Sequence, residues 1–125
     1  MWSSSDLLKV CDARASEARL LYQNNYYHTA IYLLSYALEC AMKAMICKNT
    51  GGFPEIHSFK ELREKCRIPV GTFQEQWQTF FLDRDNDWVA MRYQVDQFGG
   101  WDENRRVMYY NAGFKLVTFF KRKAV

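Results

Sequence analysis

The sequence predicts an all-α protein, an up-and-down antiparallel bundle of four to five helices. Three observations predict it. Only two prolines and six glycines punctuate 125 residues. The segments between them repeat their apolar positions every three or four residues rather than every two. Short turns join the segments, which sets neighbouring helices antiparallel. The length suits one domain spanning residues 1–125. A hydrophobic fraction of 49% with 25% charged residues is an ordinary globular balance, and it excludes disordered, collagen-like and low-complexity classes.

The first helix is expected over residues 6–23. Leu7, Cys11, Ala15, Ala18 and Tyr22 recur at steps of four, four, three and four, with Asp12, Arg14, Glu17 and Arg19 between them. Asn24 and Asn25 end it, because their side chains compete for backbone hydrogen bonds and suit turns and caps. A second helix starts near Tyr26 and runs to about Lys48. It is apolar on nearly every side, so it is predicted to be central. Asn49, Thr50, Gly51 and Gly52 stop it, glycine readily taking the left-handed conformation after a helix end. Phe53-Pro54 continues as a loop.

Ser58-Phe-Lys-Glu61 and Thr72-Phe-Gln-Glu75 both fit the capping box, in which a hydroxyl and a carboxylate satisfy the free amide donors of a helix start. They predict short helices near 59–66 and 73–82, separated by Pro69 and Gly71. Asp83-Arg-Asp-Asn-Asp87 is an acidic turn without the glycine and glutamate that an EF-hand calcium loop requires. Trp88 to Phe98 continues as helix, Gly99-Gly100 breaks it, and Asp102 caps a last helix with apolar positions Val107, Tyr110, Phe114 and Val117.

The formal charge of +3 is too small to argue for nucleic acid by itself. Residues 102–125 concentrate six cations against two carboxylates, and the Lys121-Arg122-Lys123 run reads as a solvated helix end. Cys11, Cys40, Cys47 and Cys66 form no CxxC and have no histidine placed to complete a zinc set, so they read as small buried apolar residues and no metal is expected. The run from Tyr26 to Cys47 is interrupted by His28, Glu39 and Lys43, and no membrane span is expected. The segment MWSSSDLLKV lacks the features of a signal peptide. The expected location is the cytoplasm.

Four aromatic doublets stand out: Tyr26-Tyr27, Phe80-Phe81, Tyr109-Tyr110 and Phe119-Phe120. Helical neighbours point about 100° apart, so both members of a pair do not easily face one narrow core, and some aromatic surface is expected to meet a second subunit. Glu39 and Lys43 stand i and i+4 within the apolar second helix, in the favourable order for an ion pair. Either they brace the bundle edge, with the lysine stem packed, or they hold a ligand in a cleft or fix a subunit contact. His57 precedes the capping Ser58, where an imidazole reaches a cleft or a helix start. His28 reads as a rim residue. No nucleophile elbow, GxGxxG or GxxxxGK[ST] motif is present.

Tyr27-x-x-Ala30, Glu39-x-x-x-Lys43, His57 followed by Leu62, and Arg92-Tyr93 together resemble the HEPN (higher eukaryotes and prokaryotes nucleotide-binding) domain family. Ala37-Leu-Glu-Cys-Ala-Met-Lys-Ala44 is the most specific part. The resemblance implies a HEPN-like four- or five-helix bundle that commonly forms a homodimer. Members often pair with a small nucleotidyltransferase or act as ribonucleases in toxin–antitoxin and antiviral defence systems. Nuclease members carry a histidine four to six residues after an arginine. Here Arg92 is followed at those spacings by Asp96, Gln97 and Phe98, and no histidine occurs after His57.

The resemblance therefore implies a non-catalytic or degenerate HEPN protein that binds a nucleotide, RNA or a partner protein, without a cofactor. Arg92 is expected on phosphate or a partner carboxylate, Tyr93 on a base or the central helix, and Glu39, Lys43 and His57 around the cleft. One alternative is a divergent metal-independent endoribonuclease in which His57 supplies the missing imidazole and Arg92 clamps phosphate. Another is a purely structural dimerisation module.

Overall fold

A computed structural model describes residues 3–52, 55–69, 71–81 and 102–125. The Phe53-Pro54 loop, the acidic turn at 83–87, the helix expected at 88–98, and Arg92 and Tyr93 lie outside the described residues. Within them are five helices and no strand: α1 (Ser4–Gln23), α2 (Tyr27–Thr50), α3 (Phe59–Cys66), α4 (Gln74–Phe80) and α5 (Glu103–Ala124).

α1 starts earlier than expected because Ser3, not a later residue, caps it. The Ser3 hydroxyl accepts from the Asp6 amide at 3.1 Å, and the Asp6 carboxylate accepts from the Ser3 amide at 3.0 Å. The Ser3 amide and the Ser3 hydroxyl both donate to the Asp6 carboxylate and hold its carboxyl below the ordinary range. The turn at Asn24 and Asn25 then reverses the chain, Asn25 taking a left-handed φ of 70°.

α2 is the centre of the molecule. Fourteen of its 24 residues are buried, and it packs along both α1 and α5. Ala30, Ala37, Ala41 and Ala44 are wholly enclosed, so the neighbouring helices approach without large side chains between the backbones. By length and composition alone α2 could cross a membrane, but 72% of its most apolar window is buried inside the bundle. Gly51, at φ 77°, ends it in the left-handed conformation.

Two contacts fix the helix directions. The Ser4 hydroxyl donates to the Ala44 carbonyl at 3.0 Å, joining the start of α1 to the late part of α2. The Lys48 ammonium donates to the Val125 carbonyl, joining the ends of α2 and α5. α1 is therefore antiparallel to α2 and α5, which run the same way.

α3 begins where predicted, with the Ser58 hydroxyl accepting from the Glu61 amide, but only this half of the capping box forms. α4 does not begin in that way. Thr72 is no cap; helix starts after Phe73, whose φ of 54° is left-handed, and no side chain caps it. The Phe73 ring packs on Phe119 at 4.4 Å between centroids, and Arg63 binds both the Thr72 carbonyl and the Gln74 side chain while lying over Trp77. Tertiary contacts thus override the local capping pattern, against a backbone penalty of about 1–2 kcal/mol.

Asp102 caps α5 as expected, accepting from the Arg105 amide at 2.8 Å. Its buried face is different from the one expected. Tyr109, Ala112, Gly113, Leu116, Val117, Phe120 and Ala124 face inward, whereas Val107 is exposed and Tyr110 and Phe114 are half-buried. The cause is Gly113. A Cβ there would stand 2.6 Å from the Phe80 ring and 3.1 Å from Leu34, so Phe80 occupies a notch in α5 and turns that side to the core.

His28 is buried rather than at the rim, beside fully enclosed Ala30 and Ile31 in the first turn of α2. The aromatic doublets are also more internal than expected. Phe80 and Phe81 are both buried, because the helix ends between them and frees Phe81 to pack on Phe59 and Trp77. Tyr110 stacks on Tyr22 at 3.9 Å, Tyr27 meets Tyr22 edge-on, and Tyr26 remains open.

Gly113→Ala is expected to lower unfolding free energy in urea. Overpacking costs about 1–3 kcal/mol, more than the helix propensity it adds, about 1 kcal/mol. A stabilised variant would contradict the notch. Burial pushes the Cys11 and Cys66 thiols up to about 12 and Cys40 to about 11, from 9.0. A raised thiol pKa leaves stability intact below 9.0 and removes it as pH rises towards 12. Melting temperature should therefore fall above about pH 9, and native alkylation at pH 8 should reach half-buried Cys47 first, as read by peptide mass.

Candidate functional site

Glu39 and Lys43 lie one turn apart on α2, and the segment after Gly51 returns the chain so that His57 reaches the same place. Lys43 is the buried partner: its side chain is 5% exposed, against 21% for Glu39 and 76% for His57. One carboxylate oxygen, Glu39 Oε2, serves both neighbours. It accepts from Lys43 Nζ at 3.0 Å and meets His57 Nδ1 at 2.9 Å.

A carboxylate in an ion pair only accepts, so the His57 Nδ1 carries the proton. In a neutral imidazole this leaves Nε2 as an acceptor. Glu39 thereby neutralises a buried cation and fixes a histidine tautomer. The three sequence-predicted residues Glu39, Lys43 and His57 are thus brought together, while Arg92 and Tyr93 fall outside the described residues.

They line a cavity of about 500 Å³, walled by Leu7 and Val10 of α1, Tyr36 and Cys40 of α2, and Glu55 of the loop. Tyr36 and Glu55 were missed by sequence reasoning. Tyr36 was legible, since it precedes Glu39 by three residues and so shares its face. Glu55 gave no signal, because its place depends on how the loop folds back. Cys40, with its pKa raised by burial, is not a thiolate nucleophile at neutral pH. Among the described residues, no group of three or more His, Cys, Asp or Glu side chains is arranged to hold a metal ion.

The HEPN domain family model matches residues 4–111, which takes in α1 to α4, the cleft and the first part of α5. The chain belongs to the HEPN domain family. Membership gives it a nucleotide- or RNA-related function, of a kind often found in toxin or defence systems. No curated protein and no solved structure matches the chain. Within this HEPN domain the cleft lies on the central helix, where its charges are anchored by the core.

Lys43→Met retains the packed stem and removes the ammonium, leaving Glu39 with a lost ion-pair partner. It should destabilise the fold by about 1–2 kcal/mol. His57→Ala, at an exposed position, should change stability by less than about 0.5 kcal/mol. Urea titration of both variants checks the contrast, and equal effects would refute the nested arrangement.

Proposed function

We propose that this HEPN protein is a binding protein that takes a nucleotide, free or within an RNA strand, in the cleft at Glu39 and His57. The observation that carries the reading is the cleft's balance of charge. Among the described residues that line it, two carboxylates, Glu39 and Glu55, stand with one lysine, Lys43, which Glu39 already holds. Such a site favours hydrogen-bond donors. Carboxylates accept from the amino groups of bases and from ribose hydroxyls, while the half-open Tyr36 ring offers a stacking face. Phosphate is assigned to Arg92 and a second base contact to Tyr93.

The protein acts in the cytoplasm as a homodimer, with a partner such as a nucleotidyltransferase, in a toxin–antitoxin or defence-type system. Exposed Leu20, Tyr26, Val107 and Met108 supply apolar surface for self-association. Calorimetric titration with nucleosides and their monophosphates tests the site. Glu39→Gln and His57→Ala should weaken both ligands about tenfold or more, and Arg92→Ala should weaken only the phosphorylated ones. No effect of Arg92→Ala on nucleotide, RNA or partner binding would overturn the reading.

A second reading is favoured by the His57 tautomer. With Nδ1–H held by Glu39, the exposed Nε2 is placed as a general base for an RNA 2′-hydroxyl, and Arg92 would clamp the phosphate. This is metal-independent endoribonuclease chemistry: the 2′ oxygen bonds to phosphorus as the bond to the 5′ oxygen breaks, the departing oxygen takes a proton from water or from the imidazolium formed at His57, and the ends are a 2′,3′-cyclic phosphate and a 5′-hydroxyl. RNA cleavage in chelator, lost in both His57→Ala and Arg92→Ala, is its expected result. Intact structured and unstructured RNAs, with and without the partner, would exclude it.

A further inference from the structure

A second surface carries chemistry that the cleft does not use. Along the C-terminal half of α5, two cavities of about 340 and 330 Å³ share Phe114 and Thr118 as a common wall. One continues to Phe73, Phe119, Lys115 and Arg122; the other runs to Arg19 and Lys121 beside α1. Neither shares a residue with the cleft at Glu39.

We propose that this strip is a binding site for single-stranded nucleic acid, independent of the cleft reading. Charge is the first argument. Asp12 is the one carboxylate among the lining residues, and Lys121 neutralises it. Among the described residues, no ion pair holds Lys115, Arg122 or the adjacent Lys123. Cations in the last helical turn complement the helix dipole, which explains Lys121, Arg122 and Lys123. It does not explain Lys115, nearly two turns further back, which borders a further cavity with Glu75; Arg19, on α1, is set beside Phe114 and Tyr110.

The second argument is the interleaving of rings and cations. Phe114 and Phe119 are half-buried in the cavity walls, with Arg19 over Phe114 at 5.4 Å and Lys123 over Phe119 at 5.8 Å. Basic grooves that track a backbone past aromatic stacking faces are how single strands are held without sequence preference. Side chains stack only on bases whose faces are not already stacked within a duplex, so rings set among cations favour a single strand.

The test is fluorescence anisotropy of a labelled 12-nucleotide oligouridylate with the full chain over a range of salt. Lys115→Gln with Arg122→Gln should weaken binding about tenfold and reduce the log–log salt slope by about 1.4, the change expected for two lost phosphate contacts. Phe119→Leu keeps an apolar side chain against Phe73, removes the aromatic face, and should weaken binding about fivefold with helical circular dichroism intact. The proposal is overturned if wild type does not bind, or if the double variant binds as wild type does. Equal binding of a duplex, equal competition by polyglutamate of the same charge, or loss in His57→Ala rather than the double variant would overturn it too. Titration with a mononucleotide reports on the cleft separately, so failure at one site leaves the result at the other standing.

Discussion

The constraint on which this molecule turns is an ammonium group inside its core. Lys43 sits on a helix that is apolar on nearly all sides and packed by α1 and α5. A charge so placed must be paired, since an uncompensated one is far more unfavourable than any single apolar contact is favourable. Glu39, one turn earlier, supplies the pairing at 3.0 Å. It remains one-fifth exposed, so its carboxylate looks both ways, inward to Lys43 and outward to His57. The cleft exists where it does because the core's one lysine needs a carboxylate that still reaches solvent.

Close helix approach governs the rest. α2 presents alanines to its neighbours, and α5 presents Gly113 to Phe80 and Leu34. Seating Phe80 in that notch selects the inward face of α5, and the same rotation brings Tyr110 and Phe114 to the seam with α1. There Tyr27, Tyr22, Tyr110 and Phe114 meet in succession, with Arg106 over the first ring and Arg19 over the last. The basic and aromatic character of the outer face is thus a consequence of inner packing.

What sequence reasoning read well were features set by local chemistry or by strong one-dimensional pattern. The all-round apolarity of residues 26–48 marked the central helix, and Ser58 and Asp102 marked two helix starts. The four-residue spacing of Glu39 and Lys43 marked a pair. What it misread depended on distant partners. Phe73 rather than Thr72 begins α4 because Phe119 and Arg63 hold it there. The α5 face is shifted because Phe80 needs the space at Gly113. His28 is enclosed because the first turn of α2 already lies between its neighbours. Glu55 joined the cleft through the path of a loop that no periodicity encodes, while Tyr36 was overlooked although its spacing placed it beside Glu39.

The shared oxygen of Glu39 has one further consequence. Two donors on one acceptor compete for the same electron density, so a ligand that draws His57 away strengthens the hold on Lys43, and one that adds a donor weakens it. By linkage the dependence is reciprocal. Occupancy at the protein's surface and rigidity at its centre are therefore coupled variables, and a single carboxylate four residues from a buried lysine is the point at which each is felt by the other.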